Sequence, residues 1–301
     1  MKKFTAFLLI LALMLVFASC GKNIDTADAL SEQTEVVTTV PETTEKEEDE
    51  TEDVSETETE TETETIAEEP ALPTTKAEIL AEYTRIMNQA KQDKPAFKFY
   101  EWQTLPDDPD SRKIAQGEAV IGTALNIAKG FMKDEEAAKA EPYVISKDSD
   151  MYCFPIRDSD YGCLLTDVNA IKSADFEELS NGNYRITIVL KDEVMPEPVT
   201  DKHAKTAPSN HGAIFQPLPK QVIEDVLAND VISAITDDIS FSYTYHDCKA
   251  IVEYEPETGH VINVKQLSYV TITGSGRVTL IRLDVTKQEF INEMHVVDIE
   301  Y

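Results

Sequence analysis

From Gly21 to Pro73 the chain has no aromatic residue and few large aliphatic ones, which confines any fold to the residues that follow. Between Lys22 and Thr75 there are 19 acidic residues against 2 lysines, and from Glu56 to Thr65 glutamate and threonine simply alternate. Such a segment cannot bury enough apolar surface to offset its ordering entropy, so it is expected to stay disordered. Its like charges extend it further. The alternation has the period of a strand, yet neither face is apolar, so no sheet gains by adding it. A solvated spacer is the simplest reading, and a cation-binding brush or an O-glycosylated stalk would have the same composition.

Upstream, Lys2 and Lys3 precede an apolar run from Phe4 to Phe17, which Ala18-Ser19-Cys20-Gly21 closes. The run is shorter than the roughly 20 residues a helix needs to cross a bilayer, and a basic start with small residues at the cut site marks an export signal. Small-small-Cys-Gly resembles the lipobox of bacterial lipoproteins, with Phe17 where an aliphatic residue is usual. The resemblance implies cleavage by the type II signal peptidase and a diacylglycerol on Cys20, which becomes the first residue of the mature protein. A plain cleaved signal with an incidental cysteine is the other reading. Acyl chains bind by about 0.8 kcal/mol per buried methylene and stable anchoring takes two signals or two chains; a diacylglycerol supplies two. The expected layout is a signal peptide over 1–19, a lipidated cysteine and acidic tether over 20–73, and one globular domain over 74–301. Such a protein is lipid-anchored at the cell membrane and faces its extracytoplasmic side.

The whole chain carries a formal net charge of −30, and the part after the tether is itself acidic. Nucleic acid is therefore disfavoured as a partner, because phosphate binding needs a basic face. Anionic headgroups would repel the domain as well, which gives the tether a purpose.

The segment after Thr74 is long enough for a sizeable core. Thr75-Lys76-Ala77-Glu78 is a capping-box pattern, and Ile79, Leu80, Tyr83, Ile86, Met87 and Ala90 follow at helical spacing before Pro95 stops the helix. A second stripe runs through Val120, Ile121, Leu125, Ala128, Phe131 and Met132 and dissolves between Asp134 and Glu141. A third, shorter helix is predicted from Pro219, with Val222, Ile223, Val226 and Leu227 on its buried side. The rest reads as strands: 97–104, a hairpin of 174–179 and 184–191 about Asn181-Gly182, then 241–247, 249–254, 260–272, 277–284 and 290–301. Ile262 and Val264 share one phase, Leu267 and Tyr269 the other, and Val270 and Ile272 return to the first, a slip that predicts a bulge or bend.

Helices first and a run of antiparallel strands after them predict an α+β fold: a curved antiparallel meander with two or three helices packed on one face. This order of elements, with the strings Asn183-Tyr-Arg-Ile-Thr-Ile-Val-Leu-Lys-Asp192 and Ala250-Ile-Val-Glu-Tyr-Glu-Pro-Glu-Thr-Gly259, resembles exported lipoproteins with a LolA- or LppX-like half-barrel. The resemblance implies a curved sheet that wraps helices and can enclose an acyl chain. Phe97, Phe99, Tyr100 and Trp102 form the densest aromatic cluster, core in a filled domain and cavity lining in an open one.

Asp-Ser-Asp followed by Cys occurs at Asp148–Cys153 and again at Asp158–Cys163. Asp158-Ser-Asp160-Tyr-Gly162 has the front half of a calcium loop but not its later ligands, with Asn169 where the bidentate glutamate belongs; two polar turns are the simpler reading. An exported compartment permits disulfides. Cys153 with Cys163 is the nearest pair, pairings with Cys248 and no disulfide at all remain open, and a reactive thiol in His246-Asp247-Cys248 is disfavoured by its acidic setting. His203 and His211 with Asp201 match no zinc signature, and loop histidines are usually solvated. No Gly-rich phosphate loop, Gly-x-Ser-x-Gly elbow or His-Glu-x-x-His occurs, so no cofactor or metal is called for. The expected function is non-catalytic binding of an apolar ligand, a lipid or a protein partner. The alternatives are an exported polymer hydrolase using carboxylates between Asp148 and Asp160, and a transporter's solute-binding component, which the strand-rich second half argues against.

Overall fold

The computed structural model describes residues 72–228, 233–234 and 236–301. Cys20 and the tether up to residue 71 lie outside the described residues. Helix α1 (Lys76–Asp93) starts with the predicted capping box, in which the Thr75 side chain accepts from Glu78 N–H and Glu78 reaches back to the Thr75 N–H. It ends at Lys94, in the left-handed region at φ 45°, directly before Pro95. Strands β1 (Ala96–Thr104) and β2 (Arg112–Gln116) lead into α2 (Glu118–Phe131). Where the sequence pattern faded, Asp134 caps a further short helix, α3 (Glu135–Ala140). There follow β3 (Tyr143–Ile145), β4 (Ile171–Glu178), β5 (Tyr184–Leu190), β6 (Glu193–Val194), α4 (Lys220–Ala228), and three long strands, β7 (Thr236–Tyr254), β8 (Val261–Val278) and β9 (Ile281–Glu300).

All nine strands belong to one antiparallel sheet with the main order β3-β1-β9-β8-β7-β5-β4, β2 pairing with β9 and β6 with β7. The sheet is curved and does not close. The last three strands form the meander, and the first strand returns to pair with the last, so β1 extends the sheet beyond β9. Curvature enters at irregularities. Asp247, at φ 50°, and Cys248 stand together opposite the single position between Leu267 and Tyr269, and Asp298, at φ 51°, breaks the β1–β9 register. Aspartate tolerates that conformation better than most residues do, and an extra residue on one strand bends it.

Two strand assignments need correction. The predicted strand 277–284 straddles a tight turn at Thr279 and Leu280, so its halves belong to β8 and β9. The register shifts opposite Leu267–Tyr269, where the extra residue lies on β7, and again at Val261–Asn263, where the burial phase of β8 itself slips. From Val264 to Ile272 every second residue is buried, but two of those positions are polar, Gln266 and Ser268, which misled the apolar pattern.

The inner face carries Ile186, Ile188, Tyr243, Tyr245, Ala250, Val252, Val264, Val270, Phe290, Met294 and Val296, and α1, α2 and α4 contribute Tyr83, Ile86, Met87, Leu125 and Ile223 to the same core. The short α3 sits against the opposite face at β1, with Ala138 buried and Lys139 Nζ 5.8 Å from the Trp102 ring centre. Segments 146–167 and 195–219 also fold inward, burying Phe154, Ile156, Ile214 and Phe215. One contact requires glycine. A Cβ on Gly162 would stand 2.3 Å from Met87 O, so only glycine lets this loop lie on α1, where Asn88 Oδ1 accepts from the N–H of Gly162 and Cys163.

Candidate ligand pocket

At the end of the sheet where β8 turns into β9, the inner face is not filled. Alternation along β8 puts Ile272, Gly274, Gly276 and Val278 on one side, and Gly276 lets the Ile239 side chain lie against the strand, since a Cβ there would stand 2.3 Å from Ile239 Cδ1. Ile121 and Leu125 of α2 and Leu227 of α4 form one wall; Ile239 and Phe241 of β7 with Leu283 and Val285 of β9 form the others. A half-open cavity of about 120 Å³ results. An apolar cavity of about 150 Å³ in another protein stays dry and takes benzene. This one therefore suits a single ring or a short alkyl segment, with the remainder of a longer ligand emerging at the mouth.

The polar groups of the lining are nearly all engaged. Ser240 and Ser275 hydroxyls lie 3.0 Å apart, and Thr273 Oγ1 donates to Ser242 O. Gln288 Nε2 donates to Pro106 O and Glu289 O. Among the described residues the lining holds no carboxylate, histidine, cysteine or lysine.

None of Phe97, Phe99, Tyr100 and Trp102 lines this pocket. Strand alternation divides them. Phe97 and Phe99 are core residues, Phe97 edge-on to Phe154 at 5.8 Å. Tyr100 and Trp102 stack with each other and with His295 on the opposite face, at 6.1 and 5.3 Å from the Tyr100 ring.

Of the alternatives left open for the cysteines, the structure has the one without a disulfide: Cys153, Cys163 and Cys248 are free and buried. Cys163 Sγ accepts from Thr84 Oγ1 of α1, while Cys153 belongs to a turn fixed by other bonds. Burial pushes the Cys153 and Cys248 thiols up to about 12, which keeps them protonated and poorly nucleophilic.

Asp148, Asp150, Asp158 and Asp160 are all exposed, Asp150 pairing with Lys202 and Asp160 with His203 Nδ1 at 2.6 Å. Among the described residues no group of three or more His, Cys, Asp or Glu side chains converges as a metal site would. His203 and His211 are separated by function as well as place: His203 is at the surface, whereas His211 is fully buried and bonded through Nδ1 to Glu193 at 2.8 Å. Burial works to raise the Glu193 carboxyl, but the bonds from the His211 ring and from the backbone N–H of His211 and Asn210 outweigh it and hold it low. Glu193 borders a second, polar hollow of about 220 Å³ with Thr206, Ser209 and Asn210.

The outer face has a cross-strand cluster that sequence reading missed. Thr271 Oγ1 donates to Glu289 Oε1 at 2.7 Å, His246 Nε2 lies 3.1 Å from Glu289 Oε2, and Lys287 Nζ lies 3.1 Å from Oε1. These groups satisfy one another. Their register pairing, Thr271 opposite Glu289, becomes visible only once β8 and β9 are aligned.

Comparisons with protein-family models, with curated proteins and with solved structures find no match to this chain.

Proposed function

We propose that this is an extracytoplasmic lipoprotein, anchored by a diacylglycerol on Cys20 and a long acidic tether, whose curved-sheet domain binds a small apolar ligand without catalysing a reaction on it. The observation that carries the binding part is the pocket at the β8–β9 end of the sheet, walled by apolar residues from two helices and three strands. Sites for small molecules are concave and mostly apolar, with few polar groups. The anchoring part rests on the Lys2-Lys3 start, the apolar run and Ala18-Ser19-Cys20-Gly21. Exposed, ion-paired carboxylates between Asp148 and Asp160 give the hydrolase alternative little support.

Two measurements test the two parts separately. Cys20→Ala is expected to move the chain from the detergent phase to the aqueous phase in a two-phase extraction, since the anchor is lost with the thiol; equal partitioning of both forms overturns the anchor. Val285→Phe places a ring from the half-buried pocket wall into the cavity. It is expected to weaken binding of toluene at least about tenfold while costing less than about 2 kcal/mol of stability, the lower range for overpacking. Toluene titration followed by NMR shift changes at Ile121, Leu125 and Leu283 reads this directly, and unchanged affinity would place the ligand elsewhere.

A second reading, a protein partner at the same end, draws on the β8–β9 turn, where Leu280 is 96% exposed and Ile281 is exposed beside it. Leu280→Ser separates the two: ligand affinity stays, and a partner docked on the turn is lost.

A further inference from the structure

We infer that the tip of the β8–β9 hairpin is a membrane contact: Leu280 and Ile281 enter the acyl region of a phospholipid bilayer while Arg282 stays at the headgroup phosphates. The inference goes beyond the pocket, and it draws on the anchored-lipoprotein reading only to bring a bilayer within reach of the domain. Thr279 and Leu280 form the turn between Val278 and Ile281, which stand opposite each other in register. Leu280 is 96% exposed and Ile281 41%. Directly behind the turn Arg277 and Arg282 also stand opposite each other, both exposed. Like charges in that arrangement are unfavourable by themselves. Asp238 of β7 engages Arg277 at 3.2 Å, whereas among the described residues no ion pair engages Arg282. An exposed apolar tip and an unpaired cation behind it are what a phospholipid surface complements, hydrocarbon for the one and phosphate for the other.

The spacing agrees. At about 3.4 Å per residue, Leu280 stands roughly 7 Å beyond Arg282 along the strand, and apolar faces at a membrane surface are buried about 5–10 Å into the boundary of headgroups and acyl chains. A guanidinium at the phosphates therefore leaves the leucine in hydrocarbon. The hairpin also has two unlike sides. Val278 and Ile281 share the inner side with the pocket residue Leu283, and the two arginines share the outer one. A protein partner would have to supply a hollow shaped to this convex tip, whereas a fluid bilayer takes it as it is. Two aliphatic side chains hold a free protein weakly, but on a chain already tethered the second contact is intramolecular and needs little energy. The acidity of the domain as a whole does not oppose it, because neutral phospholipids carry phosphates and a cation meets them first.

The test reads the depth of the tip. The chain from Gly21 onward is held on phosphatidylcholine vesicles by an amino-terminal histidine tag and a nickel-chelating lipid, which replaces the Cys20 anchor. Trp102 is the chain's one tryptophan and is buried, so the unsubstituted chain gives the background. Leu280→Trp is expected to emit at shorter wavelength on vesicles than in buffer, and to be quenched at least about twofold by phosphatidylcholine brominated on its acyl chains. Val194→Trp is the control, since Val194 is 63% exposed but pairs with Thr244, well along β7 from the Thr236 that pairs with Val278; it should not be quenched. Adding Arg282→Glu to Leu280→Trp should remove about half of the quenching or more. Absence of quenching in Leu280→Trp overturns the membrane contact and leaves the exposed turn to a protein partner. Equal quenching of Leu280→Trp and Val194→Trp overturns it too, since the domain then lies on lipid with no preferred face. Quenching that Arg282→Glu leaves intact overturns the headgroup role of the arginine. None of these results touches the pocket, which toluene binding tests, or the Cys20 anchor, which two-phase extraction tests.

Discussion

Replacing Lys91 with methionine is expected to destabilise the domain by about 3–5 kcal/mol, a large part of the 5–15 kcal/mol that holds a domain of ordinary stability. Lys91 lies in the last turn of α1, 5% exposed, and its Nζ donates to Met151 O, Phe154 O and Ile156 O at 3.1, 2.9 and 2.8 Å. One side chain thus satisfies three carbonyls of a buried loop that has no strand or helix of its own to do so. Methionine keeps the volume and removes every donor. Lys98, whose ammonium is half exposed and paired with Asp298, is the control; its replacement should leave the stability essentially unchanged. Urea denaturation of the three proteins measures both, and a Lys91→Met domain within 1 kcal/mol, roughly, of wild type would mean that the loop is held by its packing alone.

The pH dependence of that difference has a definite sign. Burial pushes the Lys91 ammonium down to about 7 from the ordinary value of 10.5. Between those values the unfolded chain holds a proton that the folded chain has released, so raising the pH through this window favours the folded state. The neutral amine still offers two N–H groups to the three carbonyls. The stability of wild type relative to Lys91→Met should therefore increase as the pH is raised from 7 towards 10.5, and a flat difference would mean that Lys91 keeps its charge throughout.

Much of the fold is legible in short-range chemistry. Thr75 and Glu78 fix where α1 begins, and Asn181-Gly182 fixes the β4–β5 turn, with Gly182 at φ 83°. These features involve neighbours in sequence, and their geometry admits few alternatives. The long strands were harder because residues at their buried positions are not all apolar. Gln266 is buried to donate to Ile214 O, a contact spanning 52 residues that no local pattern contains. Lys91 continues the buried stripe of α1 with a charge that sequence alone would assign to solvent.

The pocket was less legible for the same reason. Its walls come from α2, α4, β7, β8 and β9, and Gln288 of its lining sits in Lys287-Gln288-Glu289, a string that reads as solvated. Gly274 and Gly276 carried the available signal. Glycine weakens a strand interior and often marks a bend or a site where something else approaches the backbone closely, and here two stand at the spacing of one sheet face. The aromatic cluster of β1 drew attention because its members adjoin in sequence, and adjacency in a strand is what sends them to opposite faces.

Breaking the pair between Glu101 and Arg157 should cost about 3 kcal/mol from either side, and removing both should cost clearly less than the sum. Arg157 Nη2 lies 2.6 Å from Glu101 Oε2, with side chains 11% and 7% exposed. The other carboxylate oxygen accepts from Asn292 Nδ2 at 2.7 Å, and Asn292 Oδ1 accepts from Gln103 Nε2 at 3.1 Å. The guanidinium carbon also lies 5.1 Å from the Phe99 ring centre. Register places Phe99, Glu101 and Gln103 on the inner face beside Val296, Met294 and Asn292, so this polar chain ties the returning first strand and the 146–167 loop to the end of the meander. Glu101→Leu leaves a buried guanidinium without its carboxylate and Asn292 without an acceptor. Arg157→Leu leaves the carboxylate buried with one neutral donor at Oε1. In the double variant both desolvated charges are gone, and a coupling energy of at least about 1.5 kcal/mol from urea denaturation of the four proteins is the expected result. Additive losses would mean that the two side chains act separately, Glu101 through Asn292 and Arg157 through its packing on Phe99.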